Sequence, residues 1–326
     1  MTRNLLALVF AILAFALCAS PASHAQGSAP YPSKPLKIIV PFPPGGATDL
    51  IARSLGAKMG DTLGQPVIVE NRGGAAGAIG VDYVAKQAPD GYTILLGTIS
   101  THGTSPAVNA KLPYDPVRDF TPLSLIAVNP LVLLVHPDLP AHNLQEFVRL
   151  AKSRPGIAFG SNGNGSYNHL AVELLKGLAG IDLLHVPYKG AGPVFADLVA
   201  GQIKFAAADL AGAAQFMRAG KLRPLAVASL KRIPGVDVPT VAESGFPNFE
   251  VTAWYAMFGP AAIPSPIVDR LHAAIVSGIA SPDIQKQFSS AGAIPVGETP
   301  AQLGAFVKAE VTRWRIVAKN ANISMD

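Results

Sequence analysis

Short apolar runs rich in β-branched residues alternate along this chain with stretches whose apolar positions recur every three or four residues. Leu36-Lys37-Ile38-Ile39-Val40 reads as a buried strand. After a Pro-Gly-Gly turn, Thr48-Asp49 opens a helix with the apolar stripe Leu50, Ile51, Leu55 and Met59. The same logic predicts strands at 66–70 and 92–97 around a helix at 77–88. A proline-rich passage from Leu112 to Pro122 interrupts the alternation. The run Leu123 to Val135 is long enough for two strands broken at Asn129-Pro130. Helix 143–153, strand 156–161, helix 166–179, strand 183–188, helix 192–200, strand 203–209, helix 211–219 and strand 222–229 follow. Beyond Pro239 the pattern changes to one strand, Val251 to Gly259, and helices near 265–280, 281–291 and 300–320.

Such alternation predicts an α/β fold with parallel sheets flanked by helices on both faces. The strand spacing is too irregular for a closed eight-fold barrel. Two open sheets with a ligand cleft between them fit better. The expected division is 26–126 with 251–326 as a discontinuous first domain and 127–250 as the second. Ligands of such sheets bind beyond the carboxyl ends of the strands, where two facing sheets enclose a cleft.

The first residues read as a targeting segment rather than as part of this fold. Arg3 supplies the positive region, Leu5 to Leu17 an apolar core too short to span a bilayer, and Ser23-His24-Ala25 a cleavage site. Residues 1–25 are therefore expected to be a signal peptide and the mature protein an exported one. Leu17 stands where a lipoprotein needs a small residue before Cys18, which argues against a lipid anchor. Cys18 is the single cysteine, so the mature chain has no disulfide, thiol nucleophile or cysteine metal site. The charge is +5, from 26 Lys+Arg against 21 Asp+Glu, and removal of Arg3 leaves +4. The positive residues are scattered, which excludes the basic stripe that nucleic acid needs.

Four loops at strand ends are rich in glycine, hydroxyls and amides: Phe42 to Thr48, Gly97 to Gly103, Gly160 to Ser166, and Pro187 to Pro193. In the first, a bare backbone leads into a helix N-terminus, whose free N–H groups and positive dipole end suit an anion. Gly45-Gly46 lacks the P-loop lysine, which favours a carboxylate over a nucleotide. Ser166 is a good N-cap. Catalytic patterns are weak. No Gly-x-Ser-x-Gly elbow is present, and His169 with Glu173 lacks a third metal ligand. Trp254-Tyr255 reads equally as core or as an aromatic wall for a ligand.

An ordered series of motifs then carries a resemblance. It comprises Tyr31-Pro32-Ser33-Lys34-Pro35, Val40-Pro41-Phe42-Pro43-Pro44-Gly45-Gly46-Ala47-Thr48-Asp49, Val69-Glu70-Asn71-Arg72 and Ala88-Pro89-Asp90-Gly91-Tyr92. Leu112-Pro113-Tyr114-Asp115-Pro116, Gly163-Asn164-Gly165-Ser166 with His169-Leu170, and His185-Val186-Pro187-Tyr188-Lys189-Gly190 continue it. Ala219-Gly220-Lys221-Leu222-Arg223 and Val238-Pro239-Thr240-Val241-Ala242-Glu243 close it. Over residues 31–320 the chain resembles the Bug family of periplasmic solute-binding proteins, receptors of tripartite tricarboxylate transporters.

The resemblance implies a type II periplasmic-binding-protein fold: two domains closing by a hinge on a small carboxylate, with no enzymatic activity and no cofactor. Carried over, the ligand residues are Phe42, Pro44, Gly46, Ala47, Thr48 and Asp49 on one side. Ser161, Asn164, Ser166 and His169 stand on the other, with Thr98, Ser100, Thr101 and Lys189 completing the wall. The implied partners are permease subunits in the membrane or a sensor ectodomain, and the implied state is a monomer in the periplasm. A hydrolase using Ser166 or Ser161 with His169, and a sensory adaptor, remain open alternatives. One segment departs from the family pattern. Where many relatives have Met-Phe-Asp-Asn-Leu-Pro-Ser, this chain has Ala206-Ala207-Ala208-Asp209-Leu210-Ala211-Gly212. Smaller side chains imply a roomier pocket floor. Asp209, if it faces the cleft, would repel a second carboxylate and favour an amine or hydroxyl.

Overall fold

The computed structural model describes residues 31–290 and 293–324, so the expected signal peptide lies outside the described residues. The first sheet is built from β1 (Leu36–Val40), β2 (Val67–Asn71), β3 (Thr93–Thr98), β4 (Phe120–Val135), β9 (Thr252–Pro260) and β10 (Ile294–Pro295). The second contains the far end of β4 with β5 (Ile157–Ser161), β6 (Leu183–Pro187), β7 (Phe205–Asp209) and β8 (Arg223–Val227). The helices of eight residues or more are α1 (Ala47–Leu63), α2 (Ala78–Ala85), α3 (Leu144–Ser153), α4 (Tyr167–Ala179), α5 (Ala191–Val199) and α6 (Leu210–Arg218). They continue with α7 (Ser265–Ile279), α8 (Pro282–Ser290) and α9 (Pro300–Asn320). All belong to one compact unit, Lys34–Asp326.

Two expectations need correction. The run around Asn129-Pro130 is not two strands but one 16-residue strand. β4 pairs with β9 from Phe120 to Pro130 and with β7 and β8 from Leu131 onward, so it changes sheets where the break was expected. Proline cannot donate to a ladder, and Pro130 is the last residue paired to β9 before the handover. The sheets are also mixed rather than parallel. β1 pairs in parallel with β2 and β3, as β5 does with β6 and β7, but β4 and β9 run antiparallel to their neighbours.

Side-chain alternation explains why the second half of β4 is uniformly apolar. Leu131, Leu133 and Val135 enter one core cluster, while Val132 and Leu134 enter another on the opposite face. The larger cluster runs without a break from Ile39 and Leu95 of the first sheet to Phe159 and Phe205 of the second and Phe147 of α3. Trp254 and Trp314 lie within it, both fully buried. Their indole N–H groups donate to one oxygen of the buried Glu310 on α9, at 2.9 and 3.1 Å, and Arg313 pairs with the other oxygen. The imidazole of His102 stacks flat on Phe258 at 4.2 Å, and burial lowers its pKa to about 3.

The β1–α1 loop is held by a polar chain. Gly45 adopts a left-handed φ of 88°, and its N–H donates to Asp49. Asp49 pairs with Arg53, which donates to Asn71, and the Asn71 amide donates to the Phe42 carbonyl. The hydrogen bond from Arg53, then the Gly45 N–H, lowers the Asp49 pKa to about 2.

Two predictions follow from these contacts. Glu310→Ala leaves two buried indole N–H groups without an acceptor and removes the ion pair of Arg313, which keeps its bond to the Glu250 carbonyl, and should lower stability in urea by about 3–5 kcal/mol; Glu310→Gln, which keeps an acceptor, should cost less. The folded pKa of Asp49 lies below its unfolded value. Its stabilisation is therefore present above about pH 4 and lost as pH falls through about 2. Asp49→Asn should cost about 1–2 kcal/mol at pH 7, the half-exposed Arg53 keeping it below the full linkage value, and much less at pH 2.

Candidate ligand-binding cleft

Between the loops of the first sheet and the start of α4 lies a cavity of about 110 Å³. Phe42 and Thr48 reach it from the β1–α1 segment, and Thr98, Ile99 and Ser100 from the end of β3. Tyr167 contributes from the first residue of α4, and Ala253, Trp254 and Tyr255 from β9. Larger hollows lie elsewhere, about 360 Å³ beside Tyr114, Arg118 and Arg315 and about 460 Å³ between α4 and α9. Neither touches a strand-end glycine loop, so size is a poor guide here.

The cavity joins strand ends to a helix start. α1 has no side-chain cap at Gly46, and its first intrahelical bond is Leu50 N–H to Gly46 carbonyl. The preceding N–H groups are thus left for a ligand or water. Gly45 and Gly46 meet no atom within 4 Å of a hypothetical Cβ, and Pro44, Gly46 and Ala47 are exposed. Gly77 supports the loop from below. Its φ is 98°, and a Cβ there would come within 2.8 Å of the Thr101 methyl.

The residues expected from sequence separate into groups. Phe42, Thr48, Thr98 and Ser100 line the cavity, and Pro44, Gly46 and Ala47 form the open loop above it. Asp49 and Thr101 are turned inward. The first braces Gly45, and the second, fully buried, exchanges hydrogen bonds with Thr98 and contacts His102 at 2.9 Å. Asn164 and Lys189 are exposed on loops of the second sheet, outside the cavity lining.

Ser161, Ser166 and His169 shape the β5–α4 loop. The Ser166 hydroxyl donates to the Gly163 carbonyl and caps α4 by accepting the His169 N–H. His169 Nδ1 accepts the Gly165 N–H, and its ring stacks on His185 at 3.6 Å. Ser161, fully buried, donates to the Gly163 carbonyl and contacts His185 Nε2 at 2.7 Å. Burial, then His169 nearby, lowers the His185 pKa to about 4.

The serine–His169 pair of the hydrolase alternative is not formed: the Ser166 hydroxyl bonds backbone, and the Ser161 hydroxyl meets the Gly163 carbonyl and His185 rather than the His169 ring. His169 Nε2 stands 3.7 Å from Glu173, yet among the described residues no group of three or more His, Cys, Asp or Glu could hold a metal ion.

Sequence reasoning missed Tyr167 and left Tyr255 undecided. Tyr255 stands on the cavity wall, while the Trp254 ring is also core. The Tyr167 hydroxyl donates to Asp209, at 2.8 and 2.7 Å from its two oxygens. Burial raises the Asp209 pKa to about 6 against the lowering effect of that bond. Ala206, Ala207 and Ala208 are not a pocket floor. They are buried in the central part of the second sheet, away from the cavity lining.

Residues 51–323 match the model of the tripartite tricarboxylate transporter family receptor. The protein BugT of Bordetella pertussis is 38% identical over 328 residues, covering 100% of this chain and 99% of its own. Rpa4515 of Rhodopseudomonas palustris, solved with adipate, is 36% identical, with a TM-score of 0.77 over 90% of this chain and 99% of its own. MatC of the same organism, solved with bound malate, is 36% identical, with a TM-score of 0.73 over 88% and 99%. The fold is that of periplasmic binding proteins, and the family is one of receptors rather than enzymes. By sequence and by fold alike, this chain belongs to the tripartite tricarboxylate transporter receptor family.

Proposed function

We propose that this receptor captures a small carboxylate in the periplasm, in the cleft between its two sheets, and presents it to the membrane subunits of a tripartite transporter. The observation that carries the reading is the uncapped N-terminus of α1 beside the cavity. Its N–H groups and dipole bind a carboxylate without a fixed counter-charge. Relatives solved with adipate and malate support the same ligand class. Residues Phe42, Thr48, Thr98 and Ser100 hold the ligand from the first lobe, and Tyr167 meets it from the second. The lobes are 26–126 with 251–326, and 127–250, hinged where β4 and β9 pass between them. Ligand contacts to both lobes favour the closed state, which the partner reads. The working form is a monomer.

Two measurements test this. In a thermal-shift screen across carboxylates, amino acids and uncharged amides or sugars, only carboxylate-bearing compounds should stabilise the protein. A ligand at 100 times its Kd should add about 2.7 kcal/mol, roughly a few degrees in Tm. A response to sugars with none to carboxylates would refute the proposal. Ala47→Pro is the sharper probe. Proline is tolerated at the first helical position, and Gly46 already has the extended backbone that a following proline requires. This variant should fold normally yet bind the carboxylate about tenfold or more weakly, one N–H donor having been removed.

A further inference from the structure

Asp209 is a carboxylate without a cation. Its side-chain partner among the described residues is the Tyr167 hydroxyl, which lies within 2.8 Å of both of its oxygens. Among the described residues no Lys, Arg or His pairs with it. The titratable groups that do face it are Tyr167, from the start of α4, and Tyr255, from β9, and burial raises the pKa of both phenols. Opposite Asp209 on β4 is the apolar Leu131. Asp209 ends β7 and directly precedes α6, yet its side chain caps no N–H of that helix. A partly buried carboxylate so placed lacks the cationic partner that usually accompanies a charge withdrawn from water.

The consequence reaches the cavity through Tyr167. A phenol has a single proton, and that of Tyr167 is committed to Asp209. Tyr167 lines the cavity, and any further partner of its oxygen meets only lone pairs. From the first lobe, the backbone of the α1 N-terminus offers donors, beside the hydroxyls of Thr48, Thr98 and Ser100, which can donate or accept. The second lobe brings Tyr167, an acceptor backed by a carboxylate that has no cation.

We infer that the acceptor end formed by Tyr167 and Asp209 selects a cationic hydrogen-bond donor, so that the ligand is a carboxylate bearing an ammonium group at its far end rather than a second carboxylate. The inference rests on the proposed carboxylate-binding cleft and names the ligand class within it. An ammonium group supplies the missing counter-charge and donates to the phenol oxygen, to Asp209, or to both. A second carboxylate would meet lone pairs and a like charge. Protonation of Asp209 reverses the polarity: its acid proton can be given to Tyr167, whose own proton then turns toward the ligand.

The test compares two matched series on the intact receptor by titration calorimetry at pH 7.5: linear ω-amino acids of four to six carbons and the α,ω-dicarboxylates of the same lengths. The wild type should prefer the amino acids by about tenfold or more at the best-fitting length. Asp209→Asn, similar in shape and checked by its unliganded melting curve, should erase that preference, and Tyr167→Phe should weaken it. Amino-acid binding by the wild type should also weaken as pH falls through about 6, with Asp209→Asn showing no such step. Tighter dicarboxylate binding by the wild type, or a preference unchanged in Asp209→Asn, overturns the inference while leaving the carboxylate receptor intact. Binding of neither series, nor of any carboxylate in the thermal-shift screen, overturns the reading on which it rests.

Discussion

The pairing of β4 with β9 is the constraint on which the molecule depends. β4 is the only strand, among the described residues, that pairs in both sheets, and β9 returns the chain to the first sheet beside it. The nine-residue β9 carries Trp254 and Tyr255, so the strand that ties the halves together is also a cavity wall. Register shifts at Pro122/Ser124 and Leu125/Ala127 let the pair twist without surrendering its ladder. Both the cavity wall and the crossing between sheets are therefore set by one antiparallel pairing.

The first sheet gives the cavity an open glycine turn and the side chains of Phe42, Thr48, Thr98 and Ser100, while Tyr167 comes from the start of α4. This division follows from what each segment can hold rigid. The Gly45-Gly46 turn has no side chains to place, so it is fixed from behind by Asp49, Arg53 and Asn71. The β5–α4 loop is fixed by Ser161 and Ser166 through the Gly163 carbonyl and by the stacked imidazoles of His169 and His185. Residues that look like catalytic groups in the sequence are used to stiffen loops, and the groups that face the cavity are less conspicuous.

Much of the fold could be read from the chain because hydrophobic period and cap chemistry agree. The stripe of α1 and the Ser166 cap of α4 each mark an element within a few residues of its observed bounds. The continuity of β4 escaped because Asn129-Pro130 is a breaker by local rules, and only the partner strands reveal that the chain runs straight on. In the candidate site, the glycine loop was legible because its chemistry is local. Tyr167 was not, since an aromatic in the first turn of a helix usually means core, and its meaning depends on Asp209, 42 residues away. Asp49 and Thr101 showed the opposite error: polar residues in the right loops, but with their side chains spent on the loops themselves.

The unbroken apolar cluster from Ile39 to Phe205 carries a consequence for how the molecule comes apart. A receptor that moves by a hinge is easily pictured as two beads on a tether, each able to live alone. Here Trp254 and Trp314 sit inside a shared interior. Cutting the chain into its halves would leave each with a raw apolar face and a strand ladder open to strangers. A hinge motion in this molecule would therefore be the flexing of a single body with one shared interior, not the swing of two independent ones.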